Sequence, residues 1–192
     1  MSIFSRRTFS TLAFASISAV ALCTSAACAK DKAPAVGDKA PDFKLSTADG
    51  EEVSLAKLVK QGPVVLIVLR GYPGYQCPAC NQQTGQFLGA AKKFAAAKAN
   101  IVLVYPGAAD GLKQHADDFT RGKTFPDNCY LALDPDYTFT NAYRLRWDAP
   151  KETAYPATFV IDQNQQVVYA KISSTHGGRT SADEVLKAVP TK

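Results

Sequence analysis

Residues 63–80 read Pro63-Val64-Val65-Leu66-Ile67-Val68-Leu69-Arg70-Gly71-Tyr72-Pro73-Gly74-Tyr75-Gln76-Cys77-Pro78-Ala79-Cys80, and this stretch decides the fold. Pro63 to Leu69 has no polar side chain to place on a solvent face, as in a strand of a parallel sheet covered on both sides. After Cys80 the period changes. Phe87, Leu88, Ala91, Phe94 and Ala95 recur every three to four residues, which predicts a helix from near Ala79 to about Lys98 with one apolar stripe. The two cysteines therefore stand at a strand-to-helix junction, where a dithiol can close into a small disulfide and open again. The unpaired N–H groups and dipole of a helix N-terminus favour a thiolate on the first sulfur. Pro78 is tolerated there because the first turn needs no N–H from it. This is the chemistry of a dithiol redox centre. A zinc site would need about four ligands, and Cys129, His115 and His176 stand in no ligand-like spacing. A purely structural bridge would close a tiny loop, the kind that cross-linking stabilises least.

Upstream, residues 1–29 form a predicted export signal. Arg6 and Arg7 make a basic start, Leu12 to Leu22 is apolar but short for a membrane span, and Ala27-Cys28-Ala29 offers a cleavage site. Ser5-Arg6-Arg7-Thr8-Phe9 resembles the twin-arginine signal, which implies export, most simply to a periplasm. Sec export is the alternative, because Ser10-Thr11 departs from that signal. A lipid anchor at Cys28 ranks below soluble export, since Ser25 stands where lipoprotein boxes carry Leu or Val. Cleavage would remove Cys23 and Cys28, so five cysteines become three: Cys77, Cys80 and Cys129. It would also take the net charge from +5 to +3, because Arg6 and Arg7 are the only charged residues lost. Mild, scattered charge points to no nucleic-acid partner. The remaining 163 residues (192 − 29) suit one domain.

Within it, residues 30–36 read as a mobile leader and 37–190 as the domain. Ala48-Asp49-Gly50 signals a turn between two short strands. Leu55 to Lys60 reads as a short helix ended by Gly62-Pro63. Gly85 and Gly89 each cost the long helix roughly 1 kcal/mol against Ala, which suggests close backbone packing there. Ile101 to Tyr105 is a second buried strand and Ala109 to Arg121 a second helix, together a parallel α/β unit. His115 reads as a solvated surface residue, Cys129 as a buried inert thiol, and Trp147 as packing under a loop. Strands at Cys129 to Leu133, near Tyr155 to Asp162 and at Val167 to Ile172 follow. A last helix spans Ser181 to Val189, with Ser181 as N-cap; His176-Gly177-Gly178-Arg179 reads as a flexible connection to it.

The strand, loop, Cys77-Pro78-Ala79-Cys80 and helix resemble the thioredoxin-fold redoxins, and the resemblance covers roughly residues 36–190. It implies an α/β, thioredoxin-like fold with a central mixed sheet and helices on both faces. Two branches share the features. Pro73, Cys77 and Cys80 fall on the Pro-xxx-Thr-xx-Cys spacing of peroxiredoxins of the alkyl hydroperoxide reductase/thiol-specific antioxidant family, with Cys77 at the Thr position. That resemblance implies a peroxidase in which Cys80 attacks, Cys77 resolves it to a Cys77–Cys80 disulfide, and Pro73 shields the pocket. Tyr72, beside Pro73, is a second supporting candidate. The CxxC equally resembles TlpA-like disulfide reductases, in which Cys77 would attack a protein disulfide and Cys80 would resolve. Tyr155-Pro156-Ala157-Thr158-Phe159-Val160-Ile161-Asp162 is similar to a TlpA-like strand, which implies a cis Pro156 against Cys77. Peroxiredoxins usually place an arginine in that region. Arg144 and Arg146 read first as a solvated edge; Arg146 is kept as a supporting candidate because an arginine near a thiolate stabilises its charge. Either branch needs a thiol reductant, and neither calls for a cofactor or metal. A non-enzymatic reading, a copper carrier using His176 or a redox-regulated binding module, stands last.

Overall fold

The computed structural model describes Met1 and residues 32–190. The signal expectation, with Arg6, Arg7, Cys23 and Cys28, lies outside the described residues. A seven-stranded mixed sheet organises the domain: β1 (Lys44–Thr47), β2 (Glu52–Ser54), β3 (Val64–Val68), β4 (Asn100–Gly107), β5 (Cys129–Pro135), β6 (Ala157–Ile161) and β7 (Val167–Ile172). Their spatial order is β2-β1-β5-β4-β3-β6-β7. The central three run parallel, β3 beside β4 and β4 beside β5. Antiparallel pairs complete both edges.

The apolar run of β3 alternates between two cores because successive strand side chains point to opposite faces. Val65, Ile67 and Leu69 pack with the helix α2 (Pro78–Ala96), with α3 (Leu112–Thr120) and with α5 (Ala182–Ala188). Val64, Leu66 and Val68 pack on the other face with α1 (Leu55–Gln61) and α4 (Thr138–Ala142). All five residues of β3 are fully buried, each contributing on the order of 1.5–3 kcal/mol through burial. This layered α/β arrangement is the thioredoxin-like one expected from the sequence. Among the described residues no helix is long and apolar enough to cross a membrane.

Three local expectations are corrected. The leader is tied down from Ala33 onward: Ala33 packs on the core, Pro34 is buried, and the Gly37 N–H donates to the Val167 carbonyl at 2.8 Å. The apolar stripe of α2 is Phe87, Ala90, Ala91 and Phe94, with Leu88 partly buried against the same core; Ala95 faces solvent. Gly85 and Gly89 are not packed against anything, since a Cβ at either would meet no atom within 4 Å. Gly71 is the glycine that close packing demands. Its φ is +69°, and a Cβ there would collide with the Pro106 carbonyl of β4.

Gly89 thus carries the entropy cost of glycine with no packing return. Replacing it, Gly89→Ala, raises stability by about 0.5–1 kcal/mol, read as a higher urea midpoint with unchanged slope.

Candidate active site

The loop from Arg70 to Gln76 carries the chain from β3 to α2, and it is held at both ends. Arg70, 2% exposed, places its guanidinium inside the protein. Nε donates to Glu152 Oε2 at 2.6 Å, Nη1 to the Tyr75 hydroxyl at 2.6 Å, and Nη2 to the Lys151 carbonyl at 2.7 Å. The Thr153 hydroxyl donates back to the Arg70 carbonyl. At the far end, Gln76 Nε2 donates to the His115 carbonyl at 2.8 Å, and the hydroxyl of buried Tyr105 donates to Gln76 Oε1 at 3.0 Å. Tyr72 lies flat on the His115 ring, centroids 3.5 Å apart. His115 is therefore half-buried in the loop's support, not solvated on the surface. Pro73 sits part-exposed at the loop's crest.

Cys77 then caps α2. Its backbone is extended, Pro78 opens the first turn, and Cys77 Sγ accepts the Cys80 N–H at 3.2 Å. An N-cap normally needs a side-chain oxygen; here sulfur takes that place, and the same geometry favours its charged form. Both thiols are reduced and recessed, Cys77 at 3% exposure and Cys80 at 0%. A guanidinium spans them: Arg179 Nη2 lies 3.4 Å from Cys80 Sγ and 3.8 Å from Cys77 Sγ. Arg179 Nη1 donates to Gln83 Oε1 at 2.9 Å, which ties it to α2.

The two sulfurs ionise very differently. The Cys80 thiol's hydrogen bond is the largest influence on Cys77, and burial opposes it. The Cys80 N–H, Arg179 and Arg70 add to the first, bringing Cys77 from 9.0 to about 6. Burial pushes Cys80 well up, the neighbouring Cys77 sulfur pushes it further, and Arg179 only partly offsets them. Cys77 is pushed toward the thiolate and Cys80 toward the thiol. Cys129 is buried and is pushed by that burial to about 12, an inert thiol.

Two expected site residues stand elsewhere or otherwise. The Arg146 guanidinium is taken up locally, donating to the carbonyls of Trp147 at 2.5 Å and Thr153 at 2.6 Å, and it lies over the Tyr137 ring at 4.1 Å. The chain folds back there, pairing Arg146 with Ala154, so the side chain meets its own turn. Pro156 follows a trans bond, since no described peptide is cis. Backbone hydrogen bonds hold it on both sides just ahead of β6, the Tyr155 N–H donating to the Leu145 carbonyl and the Pro156 carbonyl accepting from the Ser173 N–H, both at 2.8 Å. Pro156 is buried and lines a small cleft with Gln83, Thr158, Arg179 and Thr180. Trp147 stacks on Tyr155 with centroids 4.6 Å apart, as packing under a loop requires.

Arg70 and Arg179 were missed by sequence reasoning. Arg70 had a signal, a lone cation directly abutting a wholly apolar strand. Arg179 had none, because about 100 residues separate it from the sulfurs it touches.

Comparison with known proteins bears on this site. Residues 36–170 match the AhpC/TSA family. The chain belongs to that family. A relative from Mycobacterium tuberculosis that carries a peroxiredoxin name is 31% identical over 140 residues, spanning 70% of this chain and 83% of its own. Peroxiredoxin Q of Oryza sativa subsp. japonica is 30% identical over 137 residues, 69% of this chain and 57% of the relative. The crystal structure of peroxidoxin BcpB from Mycobacterium tuberculosis superposes with a TM-score of 0.63 at 25% identity, over 81% of this chain and 96% of that one. Like its relatives in the AhpC/TSA family, this protein is a thiol-dependent oxidoreductase.

The ionisation pattern has a direct readout. With iodoacetamide on the reduced native protein, alkylation of Cys77 rises with pH to a midpoint near 6 and then levels, because only the thiolate reacts. Cys129 stays unlabelled up to pH 9 until the protein is unfolded.

Proposed function

We propose that this AhpC/TSA protein reduces peroxides by cycling Cys77 and Cys80 between dithiol and disulfide. One observation carries the reading: a thiolate-favouring Cys77 at the α2 N-terminus, beside a guanidinium, in a recess that leaves it 3% exposed. A small hydroperoxide fits such a recess better than a protein disulfide does. The Cys77 thiolate attacks the nearer peroxide oxygen. The S–O bond forms as the O–O bond breaks, and the departing alkoxide or hydroxide takes a proton from solvent. Cys77 is left as a sulfenic acid. Cys80, three residues on and hydrogen-bonded to Cys77, attacks that sulfur; water leaves and the disulfide closes. Arg179, touching both sulfurs, stabilises negative charge on the attacking sulfur and on the departing oxygen. An external thiol reductant then restores the dithiol by exchange. The order of attack reverses the one implied by the peroxiredoxin spacing, which placed Cys80 first.

The order can be read by mass spectrometry on the reduced Cys77→Ser and Cys80→Ser proteins mixed with hydrogen peroxide. Cys77 of Cys80→Ser is expected to reach the sulfenic acid at least tenfold faster than Cys80 of Cys77→Ser. The opposite ranking would return the first attack to Cys80. Oxidation of both at the rate of a free thiol, with a mixed disulfide trapped on Cys77 by a protein substrate, would make the protein a disulfide reductase.

We also infer export, supported by the twin-arginine-like start and the Ala27-Cys28-Ala29 site. The intact mass of the protein recovered from a periplasmic fraction should begin at Lys30. A mass retaining residues 1–29, or one carrying a lipid on Cys28, would rule out soluble export after cleavage.

A further inference from the structure

Residues 173–180 run from β7 to α5 without regular structure and include Gly177 and Gly178, the latter at φ +67°. Two consecutive glycines loosen the strap just before Arg179, while the buried Ser173 hydroxyl, bonded to the Thr175 and Gly177 carbonyls, ties its first half. Its fixed points are therefore informative. The Thr180 hydroxyl meets the Thr158 hydroxyl of β6 at 2.8 Å, just beyond Arg179. Just before it, His176 Nε2 meets Glu152 Oε1 at 2.9 Å, and the His176 ring rests 5.4 Å from the Trp147 ring. The His176 carbonyl accepts from Arg179 Nε at 3.0 Å. Glu152 in turn spends its other oxygen on Arg70 Nε.

We propose that His176 and Glu152 form a clasp that positions the Arg179 guanidinium across the two sulfurs. Glu152 holds the His176 ring, the His176 carbonyl holds Arg179 Nε, and the rest of the guanidinium reaches Gln83 and both sulfurs. The clasp joins the two cations whose charges favour the Cys77 thiolate, Arg179 and Arg70, through one carboxylate. His176 acts at one remove, and no bond to either sulfur involves its ring, which is turned to Glu152 and Trp147. It is a positioning residue. Its exposed place on a strap lets it be changed without opening the core.

The inference rests on Cys77 as the thiolate and not on peroxide as the substrate. The test is the pH midpoint of Cys77 alkylation in the reduced full chain, for wild type, His176→Ala, His176→Gln, Arg179→Ala and the double variant His176→Ala/Arg179→Ala. Loss of a guanidinium within about 4 Å of a thiolate raises its midpoint by about 1 unit or more. Arg179→Ala is expected to show that rise, His176→Ala most of it, and His176→Gln, which keeps an N–H donor for Glu152, little. The double variant should sit where Arg179→Ala sits, because a clasp with nothing to position has no effect. An unchanged midpoint in His176→Ala, or a further rise in the double variant equal to that of the single, overturns the clasp while leaving the thiolate reading intact. A wild-type midpoint at the ordinary thiol value overturns the thiolate reading and the clasp together.

Discussion

Arg70 is a cation set just past β3, one of the three central strands, and much of the active-site architecture can be traced to the need to satisfy it. Removing a guanidinium from water is costly unless its donors find acceptors in good geometry. Here Glu152, the Tyr75 hydroxyl and the Lys151 carbonyl supply them. The acceptors belong to two parts of the site: Tyr75 to the loop before Cys77, Lys151 and Glu152 to the turn before β6. Satisfying one buried charge therefore fixes the position of two loops that sequence alone leaves unrelated. Glu152 extends the same constraint to His176.

The sulfur pair follows a second constraint, that two thiolates cannot coexist a few ångströms apart in a recess. One must stay protonated and donate to the other. The helix decides which. Cys77 takes the N-cap position and receives the Cys80 N–H, while Cys80, one turn in and fully buried, keeps its proton. Arg179 lies nearer Cys80 than Cys77, yet its charge is outweighed there by burial. Proximity to a cation does not by itself decide which thiol favours its charged form; desolvation is the larger effect.

The AhpC/TSA relationship and the CxxC spacing pull in different directions only while the pair is read as a string. In three dimensions a cysteine at the Thr position of the peroxiredoxin spacing occupies the helix cap, as a hydroxyl could, and brings a sulfur where the family pattern has an oxygen. The guanidinium beside it comes from the strap before α5. Pro156, in the region where the family pattern has an arginine, lines the cleft beside Arg179.

The architecture is legible in the residues alone, because the features that set it are local and periodic. The apolar run at β3, the three-to-four-residue stripe of α2 and the Asp49-Gly50 turn each mark an element within a short window, and Cys77-Pro78-Ala79-Cys80 marked the site in the same way. A local pattern can also mislead locally: the α2 glycines suggest close packing, but they face open space. Contacts that join distant segments are visible in the folded chain alone. Arg179, and not Arg146, reaches the sulfurs; His115 supports Tyr72; Glu152 bridges Arg70 and His176. The order of ionisation belongs here too, since it depends on burial and on charges brought in from the far end of the chain. Spacing can place two cysteines on one helical turn, but the field they feel is assembled by the fold.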